Sequence, residues 1–299
     1  MIVSEKFQFR VGEGEAGGRL DRFLAARLPN LSRMRIASLV AAGACAVNGA
    51  AAHAGFKLRP GDSVEIAFDE AAADGAMTPE PIPLDVLHED EDLLVVDKPA
   101  GMLVHPTRAV KSGTLANALT HHLNRGSQTL VRPGLPHRLD RATSGLMVVA
   151  KNQRALGVLA RHFHRRLVEK RYLALVHGRI RADGMTISAP VGREEEAWPK
   201  WRVTEDGRPA ESRLRVVERR RTLSLVELEP VTGRTNQLRI HCAHVGHAIV
   251  GDGWYGSTAR SRLCLHAARL AFNHPTGGAR VEFASALPAE IASLLEAAD

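Results

Sequence analysis

From Asp85 onward the chain returns again and again to short apolar runs: LLVVDKP at 93–99, LMVVAKN at 146–152, YLALVHG at 172–178 and LSLVELEP at 223–230. Each has strand length, is rich in branched side chains and ends in charged or turn residues, so each reads as a β-strand. Helical patterns, Thr114 to Leu123 and Arg154 to Leu167, fall between them. Strands of this number cannot bury their faces singly. They must join one mixed, mainly antiparallel sheet with helices packed on it, which makes this part of the chain a large α+β domain.

The upstream segment has a different habit. Leu20, Phe23, Leu24 and Leu28 mark one helix, ended by Pro29 and Asn30. A second, capped by Ser32, carries Met34, Ile36, Leu39 and Val40 and stops at Gly43. Two short strands then flank Asn48-Gly49, and another runs from Ser63 to Phe68. The spacing predicts a small αα-then-β module. Residues Asp69 to Pro83 (DEAAADGAMTPEPIP) have no periodicity and read as a linker. The expected division is therefore a small domain at 15–75 and a large one at 76–299.

Charge follows the same division. The net charge of the 299 residues is +7, and between Ala16 and Pro60 seven basic residues stand against a single acid, Asp21. Five of them, Arg19, Arg22, Arg27, Arg33 and Arg35, belong to the two helices, and a phosphate-binding face is the preferred reading over a solvated one. A polyanionic partner is implied. Aromatic residues make up 4%, too few for binding single strands by ladders of stacked rings, so charge and shape must carry the affinity. The 44% hydrophobic content excludes wholesale disorder, and no apolar stretch is long enough for a membrane span. Cys45, Cys242 and Cys264 do not make a disulfide framework. A reducing cytoplasm, no membrane and a monomer are the expectation.

Two apparent motifs carry little. Gly12, Gly14 and Gly17 match a dinucleotide fingerprint, but Glu13 and Glu15 would set carboxylates beside a pyrophosphate and no βαβ unit follows, so a turn is the better reading. His241, His244 and His247 invite a zinc site, yet residues six apart on a helix lie about 120° apart around its axis and Gly246 interrupts the face. Buried or RNA-facing imidazoles are preferred, and no metal or cofactor is expected.

Three polar segments are more informative. In PHRLDRATSGLMVVAKN (136–152), Asp140 lies between Arg138 and Arg141, which should hold its carboxylate ionised. Such a group can act as a nucleophile or an electrostatic stabiliser, although an ion-paired structural turn explains the spacing as well. In TGRTNQLRIH (232–241), apolar Leu238 and Ile240 bracket Arg239, which then requires a carboxylate partner; Asp140 is the candidate. In EKRY (169–172), Tyr172 opens a strand and is one of two tyrosines in the chain. The basic runs 161–166 and 215–221 are candidate phosphate clamps, with solvated faces the alternative.

Together these segments resemble the RluA-type pseudouridine synthases from about Ile82 to the end. HRLDRATSG (137–145) is similar to the family's catalytic-aspartate motif, VEKRYLALVHG (168–178) to its tyrosine motif, TGRTNQLRIH to its arginine motif and SRLCLHAARLAFNHP (261–275) to the segment whose leucine packs at the pocket. DLLVVDKPAGMLVHP (92–106) and GDGWYG (251–256) are similar to further family segments. The resemblance implies catalytic roles for Asp140, Tyr172 and Arg239 and a substrate-binding role for Leu265. Where the family usually has His, this chain has Asn236, whose amide can still donate and accept. Residues 19–49 resemble an S4-type RNA-binding domain, with Ala44 to Ala46 less bulky than expected.

The implied reaction is isomerisation of uridine to pseudouridine within RNA, without a cofactor. The N1–C1′ bond breaks, uracil rotates, and the base rejoins through C5. Whether Asp140 attacks C1′, attacks the base or supports a glycal route stays open at this level. A flipped uridine leaves a gap that His137 or Arg138 could fill. An S4-like domain ahead of such a catalytic domain is similar to the arrangement in large-subunit ribosomal RNA synthases, so 23S rRNA is the first choice of substrate and tRNA the second. Rivals are a non-catalytic ribosome-associated or RNA-binding protein and a glycosidase, although the latter would need a second acid.

Overall fold

The computed structural model describes residues 5–28, 31, 33–68, 78–107, 109–125, 131–193, 201–256 and 261–298. The N-terminal part runs β1 (Glu5–Arg10), α1 (Leu20–Arg27), α2 (Arg33–Ala41), β2 (Cys45–Val47), β3 (Ala50–Ala51) and β4 (Ser63–Phe68). Its strands form an antiparallel sheet in the order β1-β4-β2-β3. Val64, Ile66 and Phe68 alternate inward from β4 and meet Leu20, Phe23 and Leu24 of α1 and Ile36 of α2. The β2–β3 turn places Asn48 at φ 51° and Gly49 at φ 78°, the left-handed pair that a tight hairpin needs.

The αα-then-β order omits β1. Phe7 and Phe9 alternate with polar residues, and that period-two pattern pairs the segment with β4 ahead of the helices. Glu13–Glu15 of the glycine-rich stretch form one 3-10 turn after this antiparallel strand, with no crossover unit. Pro29, Asn30 and Ser32, and residues 69–77 of the expected linker, lie outside the described residues. From Thr78 the chain is tied to the larger part, because Asn117 Nδ2 donates to the Thr78 carbonyl at 2.8 Å.

The larger part contains β5 (Asp85–Glu89), β6 (Leu93–Lys98), α3 (Leu115–Leu123), β7 (Ser144–Ala150), α4 (Gln153–His164), β8 (Glu169–His177), β9 (Gly184–Ser188), β10 (Val191–Arg193), β11 (Trp201–Val203), β12 (Glu211–Arg219), β13 (Leu223–Pro230), α5 (Gln237–His244), β14 (Leu265–Asn273), β15 (Arg280–Ala284) and α6 (Ala289–Glu296). Nine strands form one sheet in the order β5-β6-β7-β14-β8-β13-β12-β9, with β15 beside β14; β10 and β11 make a separate hairpin-like pair. Within the large sheet β7 and β14 run parallel and the other pairs antiparallel.

The unbroken apolar runs are explained by burial on both faces. Leu93 and Val95 of β6, with Leu146 and Val148 of β7, pack toward Ala155 and Leu159 of α4. The intervening Leu94, Val96, Met147 and Val149 pack toward Leu115 and Leu119 of α3. A strand covered on both sides needs no polar alternation, and each such side chain stabilises the fold by about 1.5–3 kcal/mol. α4 stops at His164, short of the periodic pattern, because the chain turns through Arg166 at φ 59°. At the parallel join, Gly145 (φ 116°) lies opposite Ala267, and any Cβ there would run into the Ala267 backbone. That close approach lets β7 pair with β14 immediately after the loop ending at Thr143.

Candidate active site

The loop carrying Asp140 is held from below by a lysine. Lys98 ends β6, is 0% exposed, and donates from Nζ to the carbonyls of Pro99 (2.8 Å), Met102 (3.0 Å) and Arg141 (3.4 Å). Arg141 Nε donates to the Gly101 carbonyl at 2.9 Å, and Gly101 N–H returns a bond to the Arg141 carbonyl at 2.7 Å. Two loops distant in sequence are thus laced together around one ammonium. Burial pulls the Lys98 pKa down to about 8, Arg262 pushes the same way, and Asp140 and Asp97 oppose. The sequence reading gave Lys98 no role; a lysine closing an apolar strand immediately before a proline was the available signal.

A polar chain fixes the other end of this loop. Arg262 donates to Ser144 Oγ, which lies 2.9 Å from His266 Nδ1; His266 Nε2 lies 2.9 Å from Ser285 Oγ, and Ser285 donates to Asp97. A guanidinium has only donors and a carboxylate only acceptors, so the order of bonds assigns the proton of a neutral His266 to Nε2.

Arg239 comes from α5. The preceding turn is pinned by Gln237, whose Oε1 accepts from Thr232 Oγ1 (2.6 Å) and the Arg234 N–H (3.0 Å). Its Nε2 donates to the Glu211 carbonyl and Ser212 Oγ. Arg239 is 7% exposed and does need a carboxylate, but the partner that takes its fork is Asp252: Nε to Oδ2 and Nη2 to Oδ1, both at 2.7 Å. Asp140 is the second, longer partner, with Oδ2 3.9 Å from Nη1. Asp252 also accepts from the backbone N–H groups of Trp254 (3.1 Å) and Tyr255 (3.3 Å). The rings of those two residues lie 5.0 and 5.1 Å from the guanidinium carbon.

Asn236, at φ 53°, uses both sides of its amide: Nδ2 donates to Tyr255 Oη at 3.1 Å and Oδ1 accepts from Arg239 Nη1 at 3.3 Å. Both tyrosines of the chain therefore belong to this region. Tyr172, on β8, packs against the apolar clusters on which Leu265 and Leu139 lie. Its phenol is pushed well above the usual range by burial and then by the charge of Asp140.

The expectation that flanking arginines hold Asp140 low is corrected. Burial raises its pKa and outweighs Arg239, Arg138 and Lys98, which oppose it; Asp252 adds to the rise. Arg138 is exposed. His137 is engaged by the fold: its Nε2 accepts the Val148 N–H at 3.1 Å and its ring stacks on Phe163 at 4.4 Å. Burial, with Lys170 nearby, takes its pKa down to about 3, so the ring is neutral. Leu265 is 3% exposed and paired across the sheet with Ala174.

Other expected residues separate. His241 is buried with Nε2 2.9 Å from the Ala189 carbonyl, and His247 Nδ1 lies 2.8 Å from the His177 carbonyl. Among the described residues no cluster of His, Cys, Asp and Glu is arranged to hold a metal. Of the arginines on α1, Arg27 pairs with Glu15 at 2.7 Å and lies 3.8 Å over the Phe23 ring. Arg19 pairs with Asp21 at 3.0 Å, while Arg22 is exposed. Glu15, one residue before Ala16, thus offsets part of the basic surplus of residues 16–60. In the run 215–221, Arg215, Arg219 and Arg220 are paired with Glu227, Asp183 and Glu218.

A family model described as RNA pseudouridylate synthase matches residues 92–244. The chain is 40% identical to an uncharacterized RNA pseudouridine synthase, YlyB, of Bacillus subtilis, with 95% of each chain covered. It is 38% identical to ribosomal large subunit pseudouridine synthase D of Nitrosomonas europaea, covering 97% of this chain and 87% of that one. Among solved structures, human RNA pseudouridylate synthase domain containing 1 is 30% identical, superposes with a TM-score of 0.59 and covers 72% of this chain and 94% of its own.

Proposed function

The chain belongs to the RluA-type RNA pseudouridine synthases, isomerases that act on uridine in RNA, and from that premise we propose that Asp140 is its catalytic carboxylate and 23S ribosomal RNA its substrate. The observation that carries the catalytic part is the 3.9 Å approach of Arg239 Nη1 to Asp140, made by a guanidinium whose other two nitrogens are occupied by Asp252. Arg239 is held in orientation by one carboxylate and offers its remaining edge to another.

Cleaving N1–C1′ builds positive charge on the ribose. A desolvated carboxylate close by stabilises or captures that charge more strongly than one in water. Asp140, partly buried and raised in pKa, is such a group. Uracil then turns, C5 bonds to C1′, the C5 proton departs and N1 takes one up, so the sum is an isomerisation. Tyr172 lies against the base, and its raised pKa keeps it a neutral phenol. Arg138, exposed two residues before Asp140, is the candidate to fill the gap left by the flipped nucleotide.

The substrate part rests on near full-length similarity to a relative named for the large ribosomal subunit. The N-terminal domain acts as an S4-type RNA holder, with Arg22 on its open face. The three free, buried cysteines suit a reducing compartment such as the cytoplasm. Purified protein incubated with 23S rRNA and tRNA transcripts, followed by chemical mapping of pseudouridine, tests the substrate. Modification of the 23S transcript alone is expected; modification confined to tRNA overturns this choice while leaving the activity in place.

A further inference from the structure

We propose that Arg166 and Lys170 form a binding site for a backbone phosphate of the RNA substrate, beside the reacting uridine. They line a cavity of about 280 Å³ between the end of α4 and the start of β8, with Phe163, Arg171, Arg213 and Glu229 also in its wall. The inference rests on the RNA pseudouridine synthase reading and adds to it a place where the polymer is gripped.

The charges around the cavity do not balance internally. Glu229 is taken by Arg171 at 2.7 Å and by Arg213 at 3.5 Å. Glu169 is shared among Arg171 (3.4 Å), Arg269 (3.8 Å) and Arg280 (3.0 Å). Neither the Arg166 guanidinium nor the Lys170 ammonium has a carboxylate or hydrogen-bond partner among the described residues, since the acids of the wall, Glu169 and Glu229, are held by other arginines. A lysine drawn out of water without an anion is unfavourable, and here burial and the adjacent Arg166 both work against its charge. An anion entering the cavity would relieve both effects at once. Arg166 is also fixed in a left-handed conformation that few non-glycine residues adopt, by bonds from its N–H to the Phe163 carbonyl (3.1 Å) and from Leu167 N–H to the His162 carbonyl (2.9 Å).

The location fits a nucleotide bound at Asp140. Lys170 and Tyr172 are two residues apart on β8, so they share a face and stand about 7 Å apart along the strand. Phe163 of the cavity wall carries the stacked His137 ring, three residues before Asp140, and the charge of Lys170 reaches that ring. A base lying against Tyr172 would set its own backbone near the cavity. A guanidinium and an ammonium converging on one phosphate make charge-assisted bonds that fix register without reading sequence.

The test is filter binding of a 23S rRNA transcript across a salt series. Lys170→Met and Arg166→Ser are each expected to weaken binding about five-fold and to flatten the log–log salt slope by about 0.7–0.9, the value for one released phosphate contact. Lys170→Arg should restore the slope, and Arg213→Ser, whose charge is already paired, should leave it unchanged. Arg166 is exposed, so its variant reads the site even if Lys170→Met fails to fold. Unchanged slopes in folded Arg166→Ser and Lys170→Met would overturn the site while wild-type pseudouridine formation continues. Absence of wild-type pseudouridine would instead overturn the functional reading beneath it.

Discussion

Asp252 takes both prongs of the Arg239 guanidinium at 2.7 Å, leaving Nη1 to approach Asp140 at 3.9 Å. The buried carboxylate that touches Arg239 most closely is therefore the one that aims it. Asp252→Asn should cost about 3–5 kcal/mol of stability, the usual result of removing one partner of a buried pair. It should also move the acid limb of the kcat profile to lower pH. Asp252 raises the Asp140 pKa, and an Arg239 no longer neutralised would lower it further, so both effects have one sign. Thermal unfolding and a pH–rate profile check the two parts; an acid limb shifted upward would contradict the arrangement.

Lys98 ties the Pro99–Met102 and Arg141 loops together. Lys98→Met removes all three bonds and should lower kcat at least ten-fold by loosening Asp140. Its pKa of about 8 lies below the ordinary 10.5, so between those pH values the unfolded chain binds more protons and the stability carried by Lys98 rises with pH, by about 3 kcal/mol in all. Denaturant titrations at pH 7.5 and pH 10 should show this rise in wild type relative to Lys98→Met. Parallel pH dependence in the two proteins would contradict a buried, cationic Lys98.

His137 accepts a backbone N–H on β7 as a neutral ring. With a folded pKa of about 3 against 6.5 unfolded, its contribution is complete above pH 6.5 and is lost as pH falls toward 3. His137→Phe keeps the stack on Phe163 but leaves Val148 N–H without an acceptor, a loss of about 1–3 kcal/mol at pH 7.5. The gap between wild type and variant should shrink at pH 5, read from urea midpoints.

Arg22 and Arg27 lie on one short helix yet should behave differently. Arg22→Ala is expected to weaken binding of 23S rRNA and flatten its salt dependence, because that side chain is open. Arg27→Ala should instead lower Tm, since its charge is engaged by Glu15 and Phe23. Equal effects of both on the salt slope would contradict this division of labour.

Much of the fold was legible because β6 and β7 are strands buried along their length with near-continuous apolar runs, and β8 and β13 carry shorter apolar stretches of strand length. β1 was less so, since it belongs to a small sheet and shows only the Phe7 and Phe9 alternation. At the site, the burial of Arg239 between Leu238 and Ile240 was enough to require a carboxylate. It could not say which, because Asp252 and Asp140 reach it from opposite sides in sequence and only the fold ranks their distances. The direction of the Asp140 shift was missed for a related reason: neighbouring arginines are visible in sequence, and desolvation is not. Lys98 escaped because its partners are carbonyls, which every residue has.

If the Asp140 carboxylate carries the reaction, removing its charge without disturbing the fold must abolish pseudouridine formation. Wild type and Asp140→Asn, matched in Tm and in filter binding, should be incubated with 23S rRNA and the pseudouridine mapped by chemical labelling. Wild type should modify the RNA, and Asp140→Asn should bind it equally well while producing at least a thousand-fold less pseudouridine, on the order expected for loss of an essential catalytic group. Comparable modification by the two proteins would show that Asp140 does not carry the reaction.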